Sequence, residues 1–449
     1  MSKHVLILNQ HINALGESLS IATHCSKSSE YHAYIFSDQI EILKKIPDKY
    51  QHLGYQKSHC NHKTFDGKPQ NRFGNFLKKL ARYCVALPFL KPIATVIYIL
   101  RHECRARKIL TELNPKVLIV YNDRNLEQMC WIKQAKRRNI RTLLVTFATS
   151  SIASDLLIRK HLDFVPLSKM IGYIFTLFAP KQIHISEDGL YSFYPLSDML
   201  GMKVMGYLRF SPWILGGGQT DFMTCLHQKH QSSLIEQGIS ADKLIVTGQP
   251  SLDTLFSFSQ NKPNISSHIA KKYGKSLKKQ CIIFSVPHLY EEGLMDKSSY
   301  FEHINALFSV LHDIEMHHHF SVLLALHPKS DVSEYAPYAL KHHLTIILEP
   351  LNEILPVATL YINPYSSTLM WARLLQIPIL IIDLVRCDYF KTSEFSDIHP
   401  SLVAYDANQL HRLMLKHKDS SYQFPLPQPS KSSLFDGKNC ARIVDIFDD

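Results

Sequence analysis

The feature that most constrains the fold is a repeated alternation of short apolar runs with segments long enough to form helices. In the first half the apolar runs occupy residues 5–8, 33–36, 117–121, 142–147 and 244–248. In the second half they occupy residues 281–287, 321–328, 344–350, 360–364 and 377–383. Apolar runs of this length are typical of strands buried on both faces of a parallel sheet. The pattern therefore predicts the α/β class, with a doubly wound parallel sheet in each half.

Chain length indicates how these elements divide. A chain of 449 residues exceeds what one hydrophobic core usually organises. Residues 260–267 are polar and lack periodicity, which is typical of a connection between domains. We predict a Rossmann-like domain over residues 1–262, a linker over residues 263–275 and a second Rossmann-like domain over residues 276–449. Such sheets bind ligands beyond the carboxyl ends of their strands, so we expect the site in a cleft where the domains face one another.

Charge is unevenly distributed along the chain. The formal net charge is +11, and residues 57–108 hold twelve basic side chains against two acidic ones. Such a field attracts the phosphates of lipid headgroups, nucleic acids or sugar nucleotides, and it equally suits a solvated face. No helix-turn-helix, RNA-binding or zinc signature accompanies it, so we expect no nucleic-acid partner. An anionic inner-membrane surface is a candidate partner of this basic region.

Cysteine usage and hydropathy bear on location. The nine cysteines are scattered without a CxxC pair, which favours a reducing compartment and argues against a structural zinc site. The apolar stretch 85–100 is interrupted by prolines and a lysine, and the stretch 170–180 is shorter than the ~20 residues of a membrane span. We therefore expect a cytoplasmic protein that is at most peripheral on the cytoplasmic face of the inner membrane.

Three short motifs carry residues suited to chemistry. Glu187, Asp188 and Gly189 join two carboxylates to a glycine that permits a turn, which suits a general base as well as an acidic surface turn. His327 and Pro328 end an apolar run, and a histidine so placed can donate to a phosphate or cap a strand.

The third motif is a set of hydroxyls before a helix. Ser366, Ser367 and Thr368 precede a segment of helical periodicity, so they suit either an anion site or ordinary helix capping. Ser285 and His288 follow the first strand of the second half, where a donor nucleotide is expected to bind.

The order and placement of these motifs resemble those of a known family. An acidic-acidic-Gly motif in the first domain, a His-Pro motif in the second and a Ser-Ser/Thr motif after it are shared by bacterial GT-B sialyltransferases and polysialyltransferases. Related patterns occur among Kdo transferases of capsule synthesis. The resemblance implies a GT-B fold and transfer of a CMP-activated acidic sugar, of the sialic, legionaminic, pseudaminic or Kdo type. The acceptor is then a glycan or lipid-linked precursor of a surface polysaccharide.

The resemblance also implies roles for the residues. Asp188, or Glu187 in another register, takes the proton of the acceptor hydroxyl, and His327 binds and protonates the departing CMP phosphate. Ser366 and Ser367 hold the same phosphate. Glu349, which follows another apolar run, is a candidate for binding ribose, although a surface glutamate is the simpler interpretation. No metal and no cofactor are then required, and the anomeric centre inverts.

Two other functions remain open from the sequence. CDP-glycerol-type transferases and UDP-sugar transferases or epimerases share the predicted architecture, and histidine-containing phosphate sites are not unique to CMP donors. A basic nucleic-acid-binding protein is more remote, because the charge of residues 57–108 is its main support.

Overall fold

The computed structural model describes most of the chain as two compact units. The described residues are 3–28, 30–39, 42–43, 46, 90–148, 152, 155–156, 169–187, 189–278, 280–318, 320–386, 398–416 and 434–448. The first unit comprises Met1–Pro250 together with Cys440–Asp449, and the second comprises Ser251–Asn439.

The first unit is built on a parallel sheet of six strands. The sheet consists of β1 (Lys3–Leu8), β2 (Tyr31–Phe36), β3 (Val117–Val120), β4 (Arg141–Leu144), β7 (Phe222–Cys225) and β8 (Leu244–Val246). Two further strands, β5 (Ile183–Ser186) and β6 (Gly189–Ser192), form a separate antiparallel hairpin. The order across the sheet is β2-β1-β3-β4-β7-β8, and every neighbouring pair is parallel. The helices before the unit boundary are α1 (Leu15–Lys27), α2 (Lys91–Leu113), α3 (Leu126–Lys136), α4 (Lys169–Phe178), α5 (Leu196–Val204) and α6 (Gln228–Glu236).

Alternate residues of the central strand enter opposite faces of the sheet. Val5 and Ile7 belong to one buried cluster, and Leu6 and Leu8 belong to the other. Because a strand directs successive side chains to opposite sides, an unbroken apolar run such as β1 requires cover on both faces. The described helices supply that cover, which confirms the doubly wound arrangement predicted for this half.

The second unit repeats the architecture. Its strands are β9 (Gln280–Ser285), β10 (Phe320–Ala325), β11 (Thr345–Ile347), β12 (Leu360–Asn363), β13 (Ile379–Ile382) and β14 (Val403–Ala404). They form a parallel sheet in the order β11-β10-β9-β12-β13-β14. The helices are α7 (Ser251–Ser259), α8 (Lys262–Tyr273), α9 (Lys297–His317), α10 (Val332–Lys341), α11 (Leu351–Ile354), α12 (Leu369–Leu374) and α13 (Ala407–Lys416). A final helix, α14 (Asn439–Asp445), belongs to the first unit from Cys440 onward.

The structure places the unit boundary differently from the sequence prediction. Residues 263–275, predicted as a linker, lie mostly within α8, whose Ile265 and Ile269 are buried in the core of the second unit. Pro263 is tolerated because it occupies the first helical turn, where its missing N–H has no intrahelical partner to lose. The chain end also departs from the prediction, because Ile443 and Phe447 pack in the core of the first unit.

Hydropathy of the described elements agrees with the expectation of no membrane span. Among the helices that the structure describes, none has the length and apolar character needed to cross a bilayer. The basic region of residues 57–108 falls largely outside the described residues, since the description resumes only at residue 90. Its predicted contact with an anionic membrane therefore stays a prediction.

Candidate functional site

In the second unit, three loops leave the carboxyl ends of adjacent strands. β9 lies between β10 and β12, and the chain proceeds outward from β9 in one direction through β10 and β11 and in the other through β12 and β13. This is the topological switch point at which doubly wound sheets bind ligands. Ser285 and His288 lie at the end of β9, His327 follows β10, and Ser366 follows β12. The fold therefore brings these four of the predicted site residues to one edge of the sheet.

Two histidines from neighbouring loops are in direct contact. The imidazole rings of His288 and His327 are stacked, with centroids 3.6 Å apart and planes inclined by 6°. The backbone N–H of Lys329 donates to His327 Nδ1 over 3.2 Å, and this bond fixes the orientation of the ring. Pro328, which lies between His327 and Lys329 in the sequence, is exposed. His327 of the His-Pro motif is thus paired with His288, which the sequence analysis had placed only near a donor nucleotide.

A carboxylate sits beside this pair. Glu292 Oε1 lies 3.4 Å from His288 Nε2 and 2.5 Å from Lys329 Nζ. The hydrogen bond with His288 and the bond from Lys329 lower the pKa of Glu292 to about 2, against an opposing effect of burial. The side chain is therefore ionised at neutral pH, and its carboxylate is an acceptor for His288 and Lys329.

Hydroxyl groups from two of these loops form a continuous chain of hydrogen bonds. Ser285 Oγ and Tyr361 Oη are 2.9 Å apart, and Tyr361 Oη and Thr368 Oγ1 are 2.8 Å apart. Thr368 Oγ1 in turn donates to Ser366 Oγ over 3.2 Å, and Asn363 Nδ2 donates to Thr368 Oγ1 over 2.9 Å. Tyr361 is completely buried, and burial raises the pKa of its hydroxyl well above the ordinary value.

The hydrogen atoms of this chain have a defined direction. A hydroxyl carries one hydrogen, so Thr368, which donates to Ser366, must accept from Tyr361, and Tyr361 must accept from Ser285. This series of hydrogen bonds ends at Ser366, whose hydroxyl hydrogen can donate to an acceptor outside the series. A phosphate oxygen at the carboxyl edge is an acceptor of this kind. Ser367 is exposed, and Thr368 acts within the chain as the link between Tyr361 and Ser366.

Glu349 lies against α8. Its carboxylate accepts from Lys272 Nζ and Tyr273 Oη, each over 2.6 Å, and lies 2.8 Å from His268 Nε2. Burial acts to raise the pKa of Glu349, but the bonds from Lys272, Tyr273 and His268 outweigh it and lower the pKa to about 2. These contacts tie α8 to the end of β11. The predicted contact of Glu349 with ribose stays a prediction.

In the first unit, Glu187 of the acidic motif lies between β5 and β6. Ser186 pairs directly with Gly189, so Glu187 is at the closed end of the hairpin. Gly189 has φ of 148°, in the region that favours glycine. Glu187 is exposed, and Asp188 lies outside the described residues. The role of either carboxylate as a base stays a prediction.

The other end of the hairpin borders a cavity. Tyr194 Oη donates to the backbone carbonyl of Arg124 over 2.6 Å, and the Arg124 guanidinium lies 5.5 Å from the centre of the Phe193 ring. These residues line a cavity of about 280 Å³ with Asn122 and Asp198. At a rise of roughly 3.3 Å per residue, the acidic turn is about 13 Å along the hairpin from this cavity.

A partly buried ionisable cluster in the first unit was not found from the sequence. Ligand-type atoms of Asp38, His102 and Glu127 lie within 4.8 Å of one another, in the one such group found among the described residues. Arg105 Nη1 lies 2.6 Å from Asp38, and Gln10 Nε2 donates to Glu127 over 2.6 Å. These residue types can bind a divalent cation. The arginine and the glutamine, however, already engage both carboxylates.

Burial keeps part of this cluster neutral. It lowers the pKa of His102 to about 4 and, with the nearby charge of Asp38, raises the pKa of Glu127 to about 8. Asp38 lies two residues after β2, as Gln10 lies two residues after β1, so both are at the carboxyl edge of the first sheet. Polar residues close after predicted strands were the signal that could have indicated this place.

Comparison with solved structures gives matches over nearly the whole chain. A UDP-GlcNAc 2-epimerase from Neisseria meningitidis, bound to UDP-GlcNAc, matches with a TM-score of 0.54 at 12% identity over 99% of both chains. MnaA from S. aureus, in complex with UDP, matches with a TM-score of 0.52 at 12% identity over 98% of this chain and 95% of its own. A variant of the wall teichoic acid polymerase TagF, soaked with CDPG, matches with a TM-score of 0.51 at 10% identity over 99% of this chain and 87% of its own.

At these identities the likeness establishes the fold. The chain has the two doubly wound α/β units of the GT-B class, as predicted. No protein-family model matches the sequence, and a search of curated proteins gives no match either.

Proposed function

We propose that this protein is a GT-B enzyme whose second unit binds a nucleotide-linked substrate through its phosphates, at the carboxyl edge of β9, β10 and β12. The observation that carries the proposal is the directed chain of hydroxyls that ends at Ser366, next to loops that supply the stacked pair His288 and His327. A hydroxyl hydrogen and an imidazole can each donate to a phosphate oxygen. As negative charge develops on a departing phosphate, such donors lower the barrier without a metal ion.

The preferred nucleotide is UDP or CDP. The structurally similar proteins include complexes with UDP, UDP-GlcNAc and CDPG, and this favours a nucleoside diphosphate over CMP. Two phosphates also provide more acceptor oxygens for the residues of three loops than one phosphate does. The reaction is then transfer of the linked group to an acceptor or epimerisation of the linked sugar, and His327 is the candidate acid in a transfer.

A second candidate is inverting transfer of a CMP-linked acidic sugar. It is favoured by the exposure of Glu187 at the end of the hairpin, because a base that deprotonates an acceptor must be accessible to it. In that reaction the acceptor oxygen bonds to the anomeric carbon and gives its proton to Asp188 or Glu187. The bond from the anomeric carbon to the phosphate oxygen breaks, and His327 protonates the departing CMP.

Isothermal titration calorimetry with UDP, CDP and CMP tests the proposal. We expect the wild-type protein to bind UDP or CDP more tightly than CMP. Removal of a donor in Ser366→Ala or His327→Gln should weaken that binding by about tenfold, because hydrogen bonds to charged groups contribute about 1.5 kcal/mol or more. Ser267→Ala and His317→Gln are matched controls, since they lie on exposed parts of α8 and α9.

Each outcome has a defined meaning. Tightest binding of CMP would favour the second candidate. Binding of no nucleotide, or unchanged affinity in both site variants, would contradict the phosphate site altogether. Incubation with UDP-GlcNAc then separates the reaction types, because transfer releases free UDP whereas epimerisation leaves the nucleotide attached.

A further inference from the structure

Helix α4 presents an apolar face to solvent. Met170, Tyr173, Ile174 and Leu177 are between 57% and 89% exposed, and Leu177 is the most exposed of them. Their spacing places them on one face of the helix. The opposite face is packed, since a Cβ on Gly172 would lie 2.3 Å from the Leu190 side chain of β6. The helix therefore has two apolar faces, one packed against the rest of the first unit and one exposed to solvent.

Two neighbouring elements extend this face. Ile185 stands directly opposite Leu190 in the β5–β6 hairpin, so both side chains project to the side on which α4 packs. Ile185 is nevertheless 68% exposed. At the other end of α4, Lys203 Nζ donates to the carbonyl of Phe178 over 2.9 Å, and the adjacent Val204 is 79% exposed. We call Met170, Tyr173, Ile174, Leu177, Ile185 and Val204 the α4 patch.

Cations border the patch at the carboxyl end of α4. Lys203 reaches the last residue of the helix, and Lys181 Nζ donates to the carbonyl of Arg209 over 2.9 Å. All three basic side chains are exposed. Partial negative charge at a helix carboxyl end favours cations there, but exposed cations beside exposed apolar side chains are also the composition that binds an anionic lipid surface.

We propose that the α4 patch inserts into the surface of a membrane that contains anionic lipids. Helix α4 has ten residues, about 15 Å, whereas the hydrocarbon core of a bilayer is about 30 Å thick, so the helix can lie in the interface but cannot span it. Leu177, Ile174 and Met170 then enter the acyl region. Tyr173 sits at the headgroup level, where aromatic side chains accumulate.

Charge complementarity selects lipid as the occupant. Lys181, Lys203 and Arg209 are each attracted to an anionic leaflet, and the net charge of +11 adds a long-range attraction. A second copy of this chain would bring the same cations together and would be disfavoured. Membrane docking of the α4 patch does not depend on which nucleotide-linked substrate the second unit binds. If the proposed transfer holds, the hairpin turn with Glu187, two residues beyond Ile185, is carried close to membrane-anchored acceptors.

Vesicle flotation with purified full-length protein tests this proposal. The vesicles consist of phosphatidylcholine alone or of an equimolar mixture of phosphatidylcholine and phosphatidylglycerol. We expect binding to the mixture to exceed binding to phosphatidylcholine alone. Combined substitution Ile174→Ser and Leu177→Ser should reduce the partition coefficient by at least tenfold, since each side chain loses a large apolar contact with lipid. Lys181→Gln with Lys203→Gln should reduce binding only to the anionic mixture.

Matched substitutions control for surface hydrophobicity and charge. Met316→Ser with Leu340→Ser removes equally exposed apolar side chains from α9 and α10, and Lys271→Gln removes a cation from α8. These variants should bind as the wild type does. Equal binding of wild type and the Ile174/Leu177 variant would overturn the proposal, as would no binding by either. The proposal would also be overturned if the wild type were a dimer and the Ile174/Leu177 variant a monomer. A fall in the melting temperature of this variant as large as that expected for core residues would overturn it as well.

Discussion

The rings of His288 and His327 are stacked face to face, 3.6 Å apart, although they belong to loops after different strands. The nitrogens of such rings can donate hydrogen bonds to an anion, and Glu292 already lies against His288 Nε2. A bound phosphate would therefore compete with Glu292 for the same donor.

This relationship predicts that Glu292→Gln strengthens nucleotide binding. Without the carboxylate, His288 and Lys329 lose a competing partner, and we expect UDP to bind about fivefold more tightly at neutral pH. The change should also cost stability. The pKa of Glu292 is lowered to about 2, so its stabilising effect is present above the ordinary value of 4.5 and is lost as pH falls toward 2.

Because Glu292 is partly exposed, we expect a loss of only about 1 kcal/mol at pH 7. Isothermal titration calorimetry and thermal melting measure the two effects, with Glu302→Gln on the exposed side of α9 as the control. Weaker binding of UDP by Glu292→Gln would contradict the role assigned to the histidine pair.

Glu349→Gln is predicted to loosen α8 without changing nucleotide affinity. The carboxylate holds Lys272, Tyr273 and His268, and its pKa is lowered to about 2. Its contribution is thus complete above pH 4.5 and disappears as pH falls toward 2. We expect a loss on the order of 2 kcal/mol at pH 7, measured by thermal melting at several pH values. A tenfold loss of UDP affinity with unchanged melting would instead support the predicted contact with ribose.

Glu127→Gln is predicted to stabilise the first unit at alkaline pH. Glu127 has a pKa raised to about 8 from an ordinary 4.5, so between these values the folded protein holds a proton that the unfolded chain has released. The free energy of unfolding therefore falls as pH rises through this window. Glutamine resembles the protonated carboxyl group and does not ionise. The Glu127→Gln protein should therefore not lose unfolding free energy at this position as pH rises.

The melting temperature of Glu127→Gln should therefore match that of the wild type near pH 5 and exceed it at pH 8, by the equivalent of on the order of 2 kcal/mol. Glu236→Gln, on an exposed end of α6, should show no such trend. A divergence that instead grew toward pH 5 would show that Glu127 is ionised in the folded protein.

Two glycine substitutions test the packing of the first unit. A Cβ on Gly201 would lie 2.6 Å from the backbone carbonyl of Pro92 and 2.9 Å from Thr95, so Gly201→Ala must separate α5 from α2. We expect a loss of about 2 kcal/mol or more. Gly16 in α1 has nothing within 4 Å of such an atom, and Gly16→Ala should stabilise by about 0.5 kcal/mol through helix propensity. Chemical denaturation measures both, and equal effects would contradict the described contact.

Apolar runs were enough to predict the two sheets, because strands buried on both faces leave an unbroken signature, as in β1 and β10. Shorter or mixed strands escaped, as β7 with its sequence FMTC shows. The domain boundary was misplaced because α8 buries only Ile265 and Ile269, and its remaining polar surface looks like a connection in the sequence.

The candidate site was predictable only where its residues follow strands. Ser285, His327 and Ser366 were recognised for that reason. Tyr361 lies inside an apolar run and reads as a core residue, yet its hydroxyl links Ser285 to Thr368. The cluster of Asp38, His102 and Glu127 joins positions far apart in the sequence, and no local sequence pattern predicts such contacts.

A crystal structure of the protein with bound UDP tests whether the carboxyl edge of β9, β10 and β12 is a phosphate site. We predict that a phosphate oxygen lies within hydrogen-bonding distance of Ser366 Oγ and of an imidazole of the pair His288 and His327. Binding of UDP elsewhere, with neither Ser366 nor the two imidazoles in contact with its phosphates, would contradict this site.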